Sequence, residues 1–319
     1  MEITRYEFYY PAANDGHDIF ACIWSDTDCK YYKGVVQLAH GMSEYILRYE
    51  EFAVYLAKRG YVVCGNDMAG HGNSVDDKSD YGYFGERTDS WEYLVDDIKY
   101  LEGIVRLKYP DLKYIMLGHS MGSLLVRKYM AACGDRFDGV ILLGTSGPQI
   151  KTDFGIRLSD YFIKKHPKER GVVVSQIAFG HNNRRIKNPR TVYDWFTTDK
   201  NVIEKYVKDD KCGFLFTNEG YNALFRLLKR VNRKEWAWSV PKNLPVLIMS
   251  GTDDPIGSYG KGVKCVYNRL VNAGCTNVKL KLVHGARHEL LNESKHERIY
   301  YFIYNWLEKN IDDTEEYYD

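Results

Sequence analysis

Apolar residues fall along this chain in short unbroken runs, separated by longer stretches in which they recur at helical spacing, and that alternation predicts most of the elements. Runs at 6–10, 17–24 and 34–38 read as three strands divided by Gly, Asn and Asp turn signals, the first two as a hairpin. Over 45–59, Phe52, Tyr55 and Leu56 keep a helical spacing that Gly60 stops, and 61–64 is the next buried strand. A long helix is expected over 90–107, a strand over 113–117, a helix over 121–133 and a strand over 139–143. This β-α-β-α-β order predicts an α/β fold, a mostly parallel sheet with helices on both faces.

The rhythm breaks after that strand. From 147 to 244 the chain shows helix-like segments punctuated by Gly, Pro and Asn, and we read this stretch as an inserted helical cap, with 1–146 and 245–319 forming the core. A helix over 218–233 places Tyr221, Leu224, Phe225, Leu228 and Val231 on one face, with Arg226, Lys229, Arg230 and Arg233 largely opposite. That apolar face suits packing against the body, and it also suits roofing an acyl-chain pocket. The sheet resumes at 245–250, followed by a helix over 261–272, a strand over 277–283 and a helix over 295–309. The acidic tail, 312–319, is expected to fray.

Composition narrows the class. A chain of 319 residues with 45% hydrophobic content can bury a large core. No apolar run is long enough to span a bilayer, and the charged N-terminus lacks the apolar stretch of a signal peptide. The seven cysteines are odd in number, scattered and never in C-x-x-C spacing, which argues against a disulfide framework or zinc site and suits a cytoplasmic location. The 44 basic and 43 acidic residues give no nucleic-acid signature. Charge is uneven, however. Between 151 and 240 there are 19 Lys and Arg against 10 Asp and Glu. Lys164, Lys165, Lys168, Arg170, Arg184, Arg185 and the cluster from Arg226 to Lys234 are either solvated helix faces or a basic surface that draws the cap to anionic membranes.

The candidate chemistry centres on Gly118-His119-Ser120-Met121-Gly122, a G-x-S-x-G pattern between a buried strand and a helix. A serine on so sharp a turn needs small neighbours, and the helix that follows aims its positive N-terminal end at the hydroxyl. Serine is a weak nucleophile without a base, and the base needs a carboxylate to fix its tautomer. In a parallel sheet such partners lie after later strands. The loop at 251–255 offers Asp253 and Asp254, and the loop at 284–288 offers His284 and His288. Spacing alone does not choose within either pair.

These stretches resemble the monoacylglycerol lipase and lysophospholipase branch of the α/β-hydrolases, a likeness that runs nearly end to end. It rests on His40-Gly41-Met42-Ser43-Glu44 with Arg48-Tyr49, on Asp67 with Gly70-His71-Gly72 and Ser74, on the serine motif, and on 251–256 paired with 285–289. The resemblance implies Ser120 as nucleophile, Asp254 as acid, His288 as base and the backbone N–H groups of Met42 and Met121 as oxyanion hole. It implies a lipid-ester hydrolase; the serine mechanism requires no metal or cofactor, and no obligate protein partner is evident in the sequence. Rival readings are a short-chain esterase or peptidase-like hydrolase on the same fold, or a ligand-binding receptor with a near-silent triad. Met42 stands where the family often has a small residue, and Met68 where it often has Arg or His. Glu44 with Arg48, and Asp67 with His71, are expected to be structural ties.

Overall fold

The computed structural model describes residues 2–311, so the expected fraying of 312–319 lies outside the described residues. Eight strands form one sheet: β1 (Ile3–Tyr10), β2 (Ile19–Asp26), β3 (Gly34–Ala39), β4 (Tyr61–Asn66), β5 (Tyr114–His119), β6 (Gly139–Leu143), β7 (Val246–Gly251) and β8 (Val278–Val283). Their order is β1-β2-β4-β3-β5-β6-β7-β8. The expected hairpin is present: β1 pairs antiparallel with β2, which also pairs antiparallel with β4, and every later pairing is parallel.

The inner strands are mostly apolar because both sheet faces are covered. Alternate residues divide between two clusters: Val35 and Val62 point to one face, Val36 and Val63 to the other. The first face is packed by α2 (Trp91–Lys108), α3 (Met121–Cys133) and α8 (Lys261–Asn272), the second by α1 (Glu50–Ala57) and α9 (His296–Ile311). Between β6 and β7 run α4 (Thr152–Ile163), α5 (Val172–Phe179), α6 (Lys200–Lys208) and α7 (Asn218–Val231). Thr217 caps α7, its side chain accepting from Gly220 N–H. Tyr221, Leu224, Phe225 and Val231 of α7 belong to the same apolar cluster as α2 and α3, so this helix rests on the body rather than standing apart from it.

No described helix is long and apolar enough to cross a membrane. All seven cysteines are free thiols.

Candidate active site

Ser120 forms the turn between β5 and α3 with φ 50° and ψ −117°, a strained backbone that surrounding contacts must impose. Its N–H donates to Leu143 O at 3.0 Å, and α3 begins at the next residue. Only glycine fits at 122, because a Cβ there would overlap the carbonyls of Ala39 and His40 at the end of β3.

The partners arrive from loops after β7 and β8. Ser120 Oγ lies 2.9 Å from His288 Nε2, although 168 residues separate them in sequence. His288 Nδ1 is 3.0 Å from Asp254 Oδ1, which fixes the tautomer whose Nε2 lone pair can accept the serine proton. Asp254 is fully buried; its Oδ2 accepts from Ser250 Oγ at 2.9 Å and its Oδ1 from Ile256 N–H at 2.8 Å. Gly144, at φ 57°, makes room for the histidine: a Cβ there would sit 3.0 Å from the ring. Asp253 and His284, the alternatives by spacing, are exposed at the surface. Met42 and Met121 line the same cavity as Ser120. Met121 is the first residue of α3, where the backbone N–H has no partner inside its helix.

A buried polar cluster supports this arrangement from behind. Glu44 Oε1 accepts from Gly41 N–H at 2.6 Å and from Tyr49 OH at 2.8 Å, and lies 3.0 Å from His119 Nδ1. Arg48 pairs with Glu44 and, at 2.7 Å, with Glu289, the residue after His288. Burial opposes the charge on Glu44, but Arg48 and His119 outweigh it and hold the carboxyl well below its ordinary range. His119 is likewise opposed by burial, and its bond to Glu44 raises it above the ordinary imidazole value. The Glu44–Arg48 tie is legible at i, i+4; Glu289 as third member and His119 as fourth are not, since only folding brings them there. Asp67 ties its loop as expected, accepting from Ile46 N–H at 2.6 Å and Asn73 N–H at 2.7 Å.

The site opens into a cavity of about 1130 Å³. Tyr221, Leu224, Phe225 and Leu228 of α7 line it, so the helix face read from the sequence both packs on the core and walls the cavity. Trp195 stands 5.2 Å from His288, ring centre to ring centre.

The basic residues between 151 and 240 divide. Arg170 is folded inward onto the carbonyls of Lys78, Ser79, Tyr81 and Leu215. Arg226 pairs with Asp160 and Lys229 with Asp153. Those three are committed to the fold, whereas Arg184 and Arg185 line the cavity.

A serine elbow after the fifth strand of a mostly parallel sheet, with an acid and a histidine in loops after the last two strands, is the arrangement of an α/β-hydrolase. The chain belongs to the family described as serine aminopeptidase, S33, whose model matches residues 31–295. It is 28% identical to the monoglyceride lipase homolog of monkeypox virus, over 83% of this chain and 87% of that one. It is 26% identical to the monoacylglycerol lipase of Mycolicibacterium smegmatis, over 97% and 99%. Among solved structures, a highly thermostable carboxyl esterase from Bacillus coagulans, in complex with glycerol, superposes with a TM-score of 0.90 at 29% identity, covering 96% of this chain and 99% of that one.

Proposed function

We propose that this protein hydrolyses carboxylic esters of the monoacylglycerol type through an acyl-enzyme on Ser120. The observation that carries this reading is the Ser120–His288–Asp254 array at the floor of a cavity with apolar walls. His288 takes the Ser120 proton as Oγ attacks the ester carbonyl, and Asp254 stabilises the imidazolium. The backbone N–H groups of Met42 and Met121 receive the oxyanion, each worth roughly 2.7–4 kcal/mol in the transition state. His288 then returns the proton to the leaving alcohol, and water, activated by the same imidazole, releases the fatty acid. The lipase and esterase names of the relatives favour this reading over a peptidase or a silent receptor.

In this reading residues 147–244 act as the cap over the cavity, and the free thiols fit a reducing compartment such as the cytoplasm. Peripheral contact with anionic membrane is part of the proposal. Ile150, Phe154, Tyr161 and Val172 are exposed apolar side chains of the cap, and Lys164 and Lys165 beside them have no ion-pair partner among the described residues.

The deciding experiment is a panel of monoacylglycerols, short esters and aminoacyl amides, compared by kcat/KM on the wild type and on Ser120→Ala. Highest kcat/KM on monoacylglycerols, lost in the variant, is expected; preference for an amide, or activity that survives Ser120→Ala, would overturn the reading. Vesicle co-sedimentation at low and physiological salt checks the membrane contact, which fails if binding ignores lipid charge.

A further inference from the structure

Among the described residues the sheet has two free edges, and they differ in character. β8, at one end of the strand order, carries Lys279 and Lys281 on one exposed face, a single-sign row of the kind that keeps an edge strand from pairing with its own copy. Two β8 strands paired antiparallel about their middle would set lysine against lysine. β1, at the other end, has no such guard. Its eight residues include neither proline nor glycine, and all eight pair with β2 without a bulge, so the strand is regular along its whole length. Among the described residues no other backbone group bonds to it, which leaves its outer row of N–H and C=O groups open to another strand.

The side chains of β1 are self-complementary. Arg5 and Glu7 lie 2.8 Å apart on the face toward α1, where Arg5 also binds Glu50. Tyr6, on the opposite face beneath Lys108 of α2, is 58% exposed, and Tyr9 is equally exposed. When two antiparallel strands pair about a twofold axis normal to the sheet, directly opposed residues share a face, so the axis must pass through a residue. With the axis at Tyr6, Arg5 stands opposite Glu7 of the second copy and Glu7 opposite its Arg5, and the charges alternate in sign around the axis. Tyr6 then meets its own counterpart, and Tyr9 lies opposite Ile3 of the second copy. Moving the axis by one residue sets Arg5 against Arg5 or Glu7 against Glu7, and like charges directly opposed are destabilising. The charge pattern selects one register.

We infer that β1 is the docking edge for a second copy of this chain: two β1 strands pair antiparallel, Tyr6 against Tyr6, and join the two sheets into one. β1 is antiparallel to β2, which is antiparallel to β4, so β1 runs in the same direction as the parallel strands. Those strands therefore point opposite ways in the two copies, and the two Ser120 cavities, at the carboxyl ends of the strands, open toward opposite ends of the dimer. Neither copy lends a residue to the other's cavity, so the inference is independent of the ester-hydrolase reading. A contact made by one strand edge belongs with small, reversible interfaces, and association should depend on concentration.

Sedimentation velocity of the full chain across the micromolar range tests it. Wild type is expected to pass from monomer to dimer as concentration rises. Arg5→Glu and Glu7→Arg each turn both attractive pairs repulsive, and each should weaken dimerisation at least about tenfold. An equimolar mixture of the two variants should recover it, because every charge at the interface then meets its opposite, a result that a folding defect in either variant does not give. Tyr6→Lys, at an exposed position on the face away from Arg5, places two ammonium groups on the axis and should also dissociate the dimer, so the test does not hang on the charged pair alone. A wild type that stays monomeric overturns the inference and leaves the edge to a different chain. A dimer indifferent to all three variants lies elsewhere, and loss without recovery in the mixture excludes this register; either result overturns it too. Turnover of a short p-nitrophenyl ester is measured alongside, and its absence counts against the ester-hydrolase reading alone.

Discussion

The guanidinium of Arg127, on α3 behind the serine turn, donates at 2.8 Å to the backbone carbonyl of Ser146, where the chain leaves β6 for α4. The same side chain donates to Val231 O at 2.5 Å and Asn232 Oδ1 at 3.2 Å, where α7 ends, and lies 4.3 Å from the Trp236 ring. Arg127 is fully buried, and no carboxylate pairs with it among the described residues. Burial, with Arg269 nearby, pushes its pKa down to about 9. One helix thus carries the strained serine turn at its start and, further along, holds both ends of the segment that contains α4 to α7.

Arg127→Met should therefore destabilise the protein by at least about 1–3 kcal/mol, because it leaves buried acceptors without a donor. Arg127→Lys should recover only part of this, since an ammonium cannot fork to carbonyls on two chain segments. Urea denaturation of the three proteins checks it; a Met variant within 1 kcal/mol of wild type would show that the acceptors find other donors.

Asp254→Asn and His288→Ala are each expected to cut kcat on a short p-nitrophenyl ester by about 10⁴-fold. Asp253→Asn and His284→Ala, at exposed positions, should stay within a few-fold of wild type. Steady-state kinetics on the four variants decides it, and a severe loss at Asp253 or His284 would mean that the loops rearrange when substrate binds.

Glu44→Gln should lower kcat by about 10- to 100-fold with little change in KM. Its Oε1 fixes Gly41 N–H, immediately before Met42, together with His119 Nδ1, immediately before Ser120. In the proposed mechanism the carboxylate therefore acts on the placement of the oxyanion donors rather than on the acyl pocket. A rise in KM at unchanged kcat would assign Glu44 to substrate binding instead.

The part of the stability that rests on Asp97 and Glu219 should fall as pH rises from about 5 to 8. Burial pushes Asp97 up to about 7 and Glu219 up to about 7, and each has one oxygen without a hydrogen-bond partner, the place for a proton. The folded state binds these protons more tightly than the unfolded chain, so their contribution is full below the unfolded carboxylate range and is lost on passing through pH 7. Each group accounts for at most about 4 kcal/mol. Thermal melts of wild type and Asp97→Asn across this range test it: the stability difference between the two should move in the variant's favour as pH rises, and a difference that does not change with pH would count against Asp97.

Much of the architecture could be read before folding. The order of strands and helices, the hairpin at the start, the serine turn and the apolar face of α7 are all local patterns with a fixed period, and α3 spans the residues its spacing predicts. The i, i+4 tie of Glu44 to Arg48 is local in the same sense.

What adjacency along the chain cannot settle is which of two neighbouring polar side chains turns inward. Asp253 and Asp254 are consecutive, and His284 and His288 share one loop; their orientations follow from loop backbones pinned by the sheet, such as Thr252 N–H to Val283 O at 2.9 Å. Composition reports a basic surplus between 151 and 240, but three-dimensional packing turns Arg170 and Arg226 inward to partners while Arg184 and Arg185 reach the cavity. Arg127 carries no sequence signal at all, because its shortest hydrogen bonds are to backbone carbonyls, which every residue possesses and only the fold can aim.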